Sequence, residues 1–365
     1  MSSTRTNQYC PDYLTTPGEV LLEYLEDLDM TQAELADRTG LAKKTVNEIV
    51  KGKAQITPET ARKLEKVIGR PAHFWSNLER HYQDDKARLA ERERMESGIA
   101  WLKRFFVKKM TDLGWLPKHK DKADQVESLL RFFGIASPDQ WETVFRGYQV
   151  SYRQSKSFEF SEESLSAWLR RGEILAQEAS CAPFDRARFQ EALDEIRSLT
   201  LEQPENFVPR LKELCSFAGV VVLFVPELPK CRVCGATRWI GDNPVIQLSL
   251  RYKSNDHLWF TFFHEAGHIL KHGRRDVFIE FKGIDRENEE EEADIFACDK
   301  LIPPAALKAF VQRRAFSRTD IVAFAEEIGI APGIVLGRLQ HDNILPYTHY
   351  LNSELKISYE WGEVA

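Results

Sequence analysis

At 365 residues the chain is long enough for two or three domains, and 43% hydrophobic with 29% charged residues describes an ordinary soluble protein. A formal net charge of −6 excludes a broadly basic nucleic-acid binder, so any DNA contact has to come from a local cluster of cations. The longest apolar run, 217–225, is too short to cross a bilayer, and Met1–Gln8 lacks the apolar segment of a signal peptide. Six scattered cysteines (10, 181, 215, 231, 234 and 298) form no disulfide framework, so a reducing, cytoplasmic compartment is expected.

The first patterned stretch, Met30 to Gly52, reads as two short helices. Thr31 is placed to cap the first and Gly40 to make the turn, while Leu35, Leu41, Val46 and Ile49 have the spacing of one packed face. The second helix then presents Lys43, Lys44, Thr45 and Asn47 to a major groove. Asn reads adenine edges, Thr meets a thymine methyl, and lysines bind phosphate or guanine. Thr31 and Gln32 start the preceding helix, where exposed amides hold a phosphate. Glu23, Glu26, Asp27, Asp29, Glu34 and Asp37 offset the cations, so non-specific affinity should be modest. This layout resembles the helix-turn-helix of the XRE/Cro type. The wider stretch, from Pro17–Leu22 through Thr57–Ala61 to Pro71–Trp75, is similar to HigA/VapI antitoxins.

The charged run 84–94 predicts a linker helix, and the apolar spacing of Trp101–Phe106 and Val126–Phe133 predicts further helices with a packed aromatic side. Ser161-Glu162-Glu163-Ser164 reads as a capping-box start. Nothing in this middle region carries evident chemistry. Next come strand-like Val220–Val225, Ala236–Ile240 and Pro244–Leu250, the last two joined by the turn residues Gly241-Asp242-Asn243. An edge of this small sheet could hold a peptide as an added strand. Cys231-Arg232-Val233-Cys234 lies in a loop with no second Cys or His pair to complete a metal site, and reads as loop packing.

The apolar run Leu258–Leu270 encloses His264-Glu265-Ala266-Gly267-His268, with Gly273 as the expected helix stop. Residues four apart share a helix face, so the two imidazoles can grip one zinc ion while Glu265 takes the proton of a water there, the H-E-x-x-H layout of a zinc peptidase. His272 continues the series, but each step of four climbs about 6 Å, so it is expected outside the ligand set. The third ligand is sought in Glu287–Pro303, where Ala293, Phe296, Ala297 and Leu301 have helical spacing. Glu290 and Asp294 share a face, so Glu290 can bind zinc while Asp294 accepts from the far nitrogen of a ligand histidine; Glu291 is the alternative ligand, and Glu289 and Glu292 are expected to be solvated. A donor to the oxyanion is sought in the C-terminal segment, with His341 taken as the catalytic candidate beside Arg338 and Tyr347.

The segments His264–His272, Glu290–Ala297, Leu301–Pro303 and Pro332–His341 resemble the ImmA/IrrE metallopeptidases, most clearly from about residue 217 onward. The resemblance implies zinc on His264, His268 and Glu290 with Glu265 as the base. Asp294 stands where many members have Asn, and still provides an acceptor.

The expected architecture is α+β and mostly helical. A five-helix helix-turn-helix domain (1–82) is followed by a helical middle region (83–200) and a zincin-like metallopeptidase domain (201–365) with a small antiparallel sheet. The expected function is a DNA-binding regulator whose zinc endopeptidase cleaves a repressor, an antitoxin or itself. The alternative is an antitoxin-like autoregulator with a structural or silent zinc site. Operator DNA and a protein substrate are the expected partners, with no membrane; a homodimer is compatible with both readings.

Overall fold

The structure, a computed structural model, describes residues 14–152, 161–272, 278–279 and 287–364. The chain opens with α1 (Pro17–Asp27), α2 (Gln32–Thr39), α3 (Lys43–Val50), α4 (Pro58–Ile68) and α5 (Ala72–Ser97). Three of these starts have a side-chain cap. The hydroxyls of Thr16, Thr31 and Thr57 accept from amides one turn into α1, α2 and α4, and Pro17 and Pro58 stand at first helical positions. Gly40 and Gly69 end α2 and α4 in the left-handed conformation. Leu21, Leu25, Leu35, Val46, Ile49, Leu64 and Trp75 form the core of this region, with Leu41 packed at its margin.

The chain divides into two compact units. One takes residues up to Ile99 together with Asp121–Val126, and the other takes Ala100–Lys120 and everything from Glu127 onward. Neither expected boundary coincides with this division. Residue 82 lies inside the unbroken helix α5, and the stretch 83–200 forms no unit of its own. Its later helices instead bury their apolar faces in the C-terminal core.

In the second unit, Trp101 and Phe105, just before α6 (Val107–Asp112), meet Phe133 of α7 (Lys122–Phe133) and Trp141 and Phe145 of α8 (Pro138–Tyr152) in a cluster of edge-on and tilted rings. There follow α9 (Glu162–Glu178), α10 (Arg186–Ser198) and α11 (Pro204–Phe217). Ser161 caps α9 by accepting from Ser164 N, but the residue at the box position is Ser164, so the reciprocal carboxylate of a capping box is lacking. Trp168 of α9 donates its indole N–H to Val225 O at 2.9 Å, and Phe189, Leu193 and Phe207 of α10 and α11 join the main core.

That core is built on β1 (Val221–Phe224), β2 (Gly235–Ile240), β3 (Asn243–Leu248) and β4 (Phe278–Ile279), in the spatial order β1-β3-β2-β4. β2 and β3 form a hairpin whose tight turn uses Gly241 at φ 62°. β1 pairs with β3 in parallel, so the sheet is mixed rather than antiparallel. The reason is the 225–234 connection, which carries the chain across the end of β3 before β2 begins.

Against this sheet lies α12 (Asn255–Lys271), packed also on α13 (Glu287–Leu301) and, beyond α14 (Pro304–Gln312) and α15 (Arg318–Ile328), on α16 (Pro332–His341). Short helices α17 (Asn352–Leu355) and α18 (Trp361–Val364) close the chain. Helix α12 buries Leu258, Trp259, Phe262, Phe263, Ala266, Ile269 and Leu270. It ends at Lys271 with His272 already extended, and Gly273, the expected stop, lies outside the described residues. No helix among the described residues is long and apolar enough to cross a membrane.

Candidate metal centre and nucleic-acid interface

Beyond its first turn, α12 buries three ionisable side chains among apolar neighbours: His264 is 1% exposed, Glu265 0% and His268 1%. Desolvating such groups costs a few kcal/mol each unless they are paired or ligated. Their spacing puts both imidazoles on the face that meets α13. That helix lies close because Gly267 has no side chain: a Cβ there would stand 3.2 Å from Ala293 Cα and from Phe296 Cδ1. The approach carries Glu290, whose side chain is one quarter exposed, over the two rings.

The distances describe one small cluster. His264 Nε2 and His268 Nε2 are 3.0 Å apart, Glu290 Oε2 is 3.3 Å from the former, and Glu290 Oε1 is 3.6 Å from the latter. A tetrahedral ion with bonds of about 2.0–2.1 Å places its donors about 3.3 Å apart, so the three separations straddle the edge that zinc requires. No other group of three or more His, Cys, Asp or Glu residues among the described ones is as compact. The donor set fits zinc. Glu291, the alternative ligand, is exposed and outside the cluster.

Around the cluster stand partners that orient it. His264 Nδ1 lies 2.8 Å from Asp294 Oδ1, so the ring proton resides on Nδ1 and leaves the Nε2 lone pair for a metal. His268 Nδ1 lies 3.0 Å from His272 Nδ1. Glu265 is pressed against β2, where a Cβ on Gly235 would stand 2.5 Å from Glu265 Oε1 and 2.6 Å from Thr261 Cγ2. Thr237, two residues along, donates its hydroxyl to Glu265 O at 3.1 Å. The roles of Gly235, Gly267 and Thr237 were not foreseen from sequence. The legible signal was a glycine inside a strand, which often marks a close approach.

The C-terminal donor candidates are spread out. His341 is on α16 with its side chain 59% exposed and its Nδ1 3.2 Å from Asp342 Oδ1. Phe260 neighbours both His341 and His264, with ring centroids 6.4 and 6.1 Å away. Arg338 holds Asp342 through Nε at 2.8 Å, and Tyr347 is exposed. Cys231 is fully buried and burial pushes its thiol far above the usual range, as loop packing requires; Cys234 is half-buried.

In the N-terminal unit, α3 exposes Lys43, Lys44 and Asn47, with Thr45 half-buried and Val46 and Ile49 in the core. Lys44 approaches Glu48 at 3.7 Å on the same helix. The start of α2 is occupied more fully than expected. Glu34 Oε2 accepts from Thr31 N at 2.8 Å and from Thr31 Oγ1 at 2.9 Å, closing a capping box. Those bonds occupy the Thr31 amide and hold the Glu34 carboxyl below the usual carboxylate range. Gln32, next in the chain, is half-buried.

These features define a protein with a helix-turn-helix at its start and a buried, metal-competent His/Glu centre in its C-terminal unit. Residues 21–75 match a family model described as helix-turn-helix, and residues 221–340 match that of the IrrE N-terminal-like domain, an M78 peptidase family. The chain is 36% identical over 78 residues to the uncharacterized HTH-type transcriptional regulator YddM of Escherichia coli K12, covering 21% of this chain and 78% of that protein. It is 31% identical over 84 residues to virulence-associated protein I of Dichelobacter nodosus (23% and 75% covered). A solved HigA-family antidote protein from Coxiella burnetii is 33% identical and aligns with 23% of this chain and 91% of its own, at a TM-score of 0.22. The chain therefore belongs to the helix-turn-helix family through its N-terminal region, joined to an IrrE-like domain.

Proposed function

We propose that this chain is an operator-binding regulator whose α12–α13 centre is a zinc-dependent endopeptidase acting on a protein partner, a repressor or antitoxin, or on the chain itself. The observation that carries the reading is the trio of donor separations, 3.0, 3.3 and 3.6 Å, on two facing helices beside a buried glutamate. Zinc bound by His264, His268 and Glu290 supplies a Lewis acid that brings a water's pKa to about 7 and polarises a carbonyl. Glu265, whose carboxyl lies against Gly235, accepts the proton of the attacking water and returns it to the leaving amine. Asp294 keeps the His264 ring turned so that Nε2 faces the centre. His341, on the helix that packs against α12, is the residue assigned to the carbonyl oxygen as its charge develops. DNA is read by Lys43, Lys44, Thr45 and Asn47 of α3, with Thr31 and Gln32 against the backbone.

The test expresses wild type and Glu265→Gln beside the proteins encoded next to the gene. A fragment made only by wild type, with zinc retained in both, is the expected result. Proteolysis persisting in Glu265→Gln removes that residue's role, and metal-free wild-type protein under zinc-replete conditions removes the centre. The similarity of the N-terminal region to antitoxin-type regulators favours one second reading, an autoregulator with a structural or silent zinc site. Zinc bound without any cleavage product would select it.

A further inference from the structure

The two histidines of the centre are turned toward it by different means. His264 is oriented by a carboxylate directly, through Asp294. His268 Nδ1 meets His272 Nδ1 at 3.0 Å, and His272 in turn places its Nε2 3.5 Å from Glu292 Oε2. The proton positions follow from the geometry. His268 Nε2 faces His264 Nε2 and Glu290, so its lone pair lies there and its proton is on Nδ1. His272 Nδ1 must then accept, which puts the His272 proton on Nε2, toward the Glu292 carboxylate. The first link is a hydrogen bond, His268 Nδ1–H to His272 Nδ1; the second is the 3.5 Å approach of the Glu292 carboxylate to the proton-bearing His272 Nε2.

The backbone supports this arrangement. Had α12 continued, His272 would sit a full turn past His268, with its ring carried along the axis. It is instead the first residue out of the helix, with φ −110° and ψ 167°, while its N–H still bonds His268 O at 3.0 Å. Leaving the helix there lets the ring turn back onto His268. Its side chain is 8% exposed, whereas that of Glu292, whose carboxylate approaches it, is 61% exposed.

We infer that His272 and Glu292 are positioning residues for the metal ligand His268, acting as an outer pair that fixes its ring orientation and tautomer. This assigns a role to one of the glutamates that the charge run alone marks as solvated, and it rests on the zinc reading above. Outer partners of this kind change metal affinity by about 10–100-fold when removed. His272→Phe fills the same space without an acceptor, and His272→Asn keeps an acceptor close to the Nδ1 position.

The experiment measures zinc affinity by competition with a chromophoric chelator in the full-length protein, with circular dichroism to confirm folding and nitrogen-15 NMR of the His268 ring to read its tautomer. Expected are a zinc Kd raised about 10–100-fold by His272→Phe and recovery to within a few-fold of wild type in His272→Asn. Glu292→Gln is expected to weaken binding in the same direction by less, and the His268 proton to reside on Nδ1 in wild type. Unchanged affinity in both His272→Phe and Glu292→Gln overturns the inference while leaving the centre standing; a His268 proton on Nε2 in zinc-replete protein takes that nitrogen out of the ligand set and overturns both readings. Should His272→Phe not fold, Glu292→Gln and His272→Asn decide alone: equal affinity in the former, or no recovery in the latter, is the overturning result. Wild-type protein that binds no zinc overturns both readings together.

Discussion

Replacing Gly235 by Ala is the sharpest probe of how the proposed base is held. Its backbone is not in the left-handed region, so alanine meets no conformational barrier there. The obstacle is space: the new methyl would lie 2.5 Å from Glu265 Oε1, 2.6 Å from Thr261 Cγ2 and 2.9 Å from Glu265 Cγ. Ordinary contact begins near 3.4 Å, so one side must retreat by about 0.9 Å. Thr261 is buried in α12 and Thr237 ties β2 to the backbone of the same helix, so the freer carboxyl arm of Glu265 takes most of the shift. Overpacking of this size costs about 1–3 kcal/mol of stability. A displacement near 1 Å of a reacting group costs about 100-fold in rate, equivalent to about 2.7 kcal/mol of barrier. The variant should therefore fold with a lowered denaturation midpoint, keep zinc at wild-type stoichiometry, and lose about 100-fold in fragment formation in the co-expression assay or with purified partner. Wild-type cleavage by a folded Gly235→Ala protein, with Glu265→Gln inactive, would show that this contact does not position the base.

Three further outcomes are expected. Gly267→Leu must push α13 away from α12, since even a Cβ meets Ala293 and Phe296 at 3.2 Å; zinc stoichiometry should fall well below one in protein that still shows helical circular dichroism, and full occupancy would contradict the packing account. Thr31→Ala removes the α2 cap and should cost about 0.5–2 kcal/mol at neutral pH in a chemical melt. The Thr31 backbone and hydroxyl bonds hold the Glu34 carboxyl below its usual range. Its contribution is therefore present at neutral pH and lost as pH falls through that depressed value, so Glu34→Gln and wild type should converge in stability in acid; a gap that widens in acid has the wrong sign. On operator DNA, Lys44→Ala should reduce the salt dependence of binding by about one counterion across all sequences, while Asn47→Ala should cost about 1–3 kcal/mol and relax the preference at one base pair. Band-shift titrations at several salt concentrations separate the two, and unaltered binding in both would remove α3 from the interface.

Much of this protein is legible in short segments. Caps such as Thr31, stops such as Gly40 and the apolar spacing of Leu35, Val46 and Ile49 act within a turn or two, and the helices form where those signals lie. The H-E-x-x-H register is equally local. What the sequence misread was whatever depended on where a finished element comes to rest. The charged run 84–94 announces a helix, but not that it continues without a break from Ala72 to Ser97. Helix α10 falls within the expected middle region, yet its Phe189, Leu193 and Ile196 join the core that holds β1 and α12. Alternating apolar residues announce a strand without its partner, so the parallel pairing of β1 with β3 was invisible.

Helical periodicity alone put His264 and His268 on one face with Glu265 beside them, because side chains four residues apart on a helix are neighbours in any context. Which of four consecutive glutamates reaches those rings, and which one meets His272, depends on the rotation of α13 about its axis and on its distance from α12. Both are set by the bare backbone at Gly267, the buried face of Ala293, Ala297 and Leu301, and the sheet behind. A charge run has no preferred face of its own, and packing chose one for it.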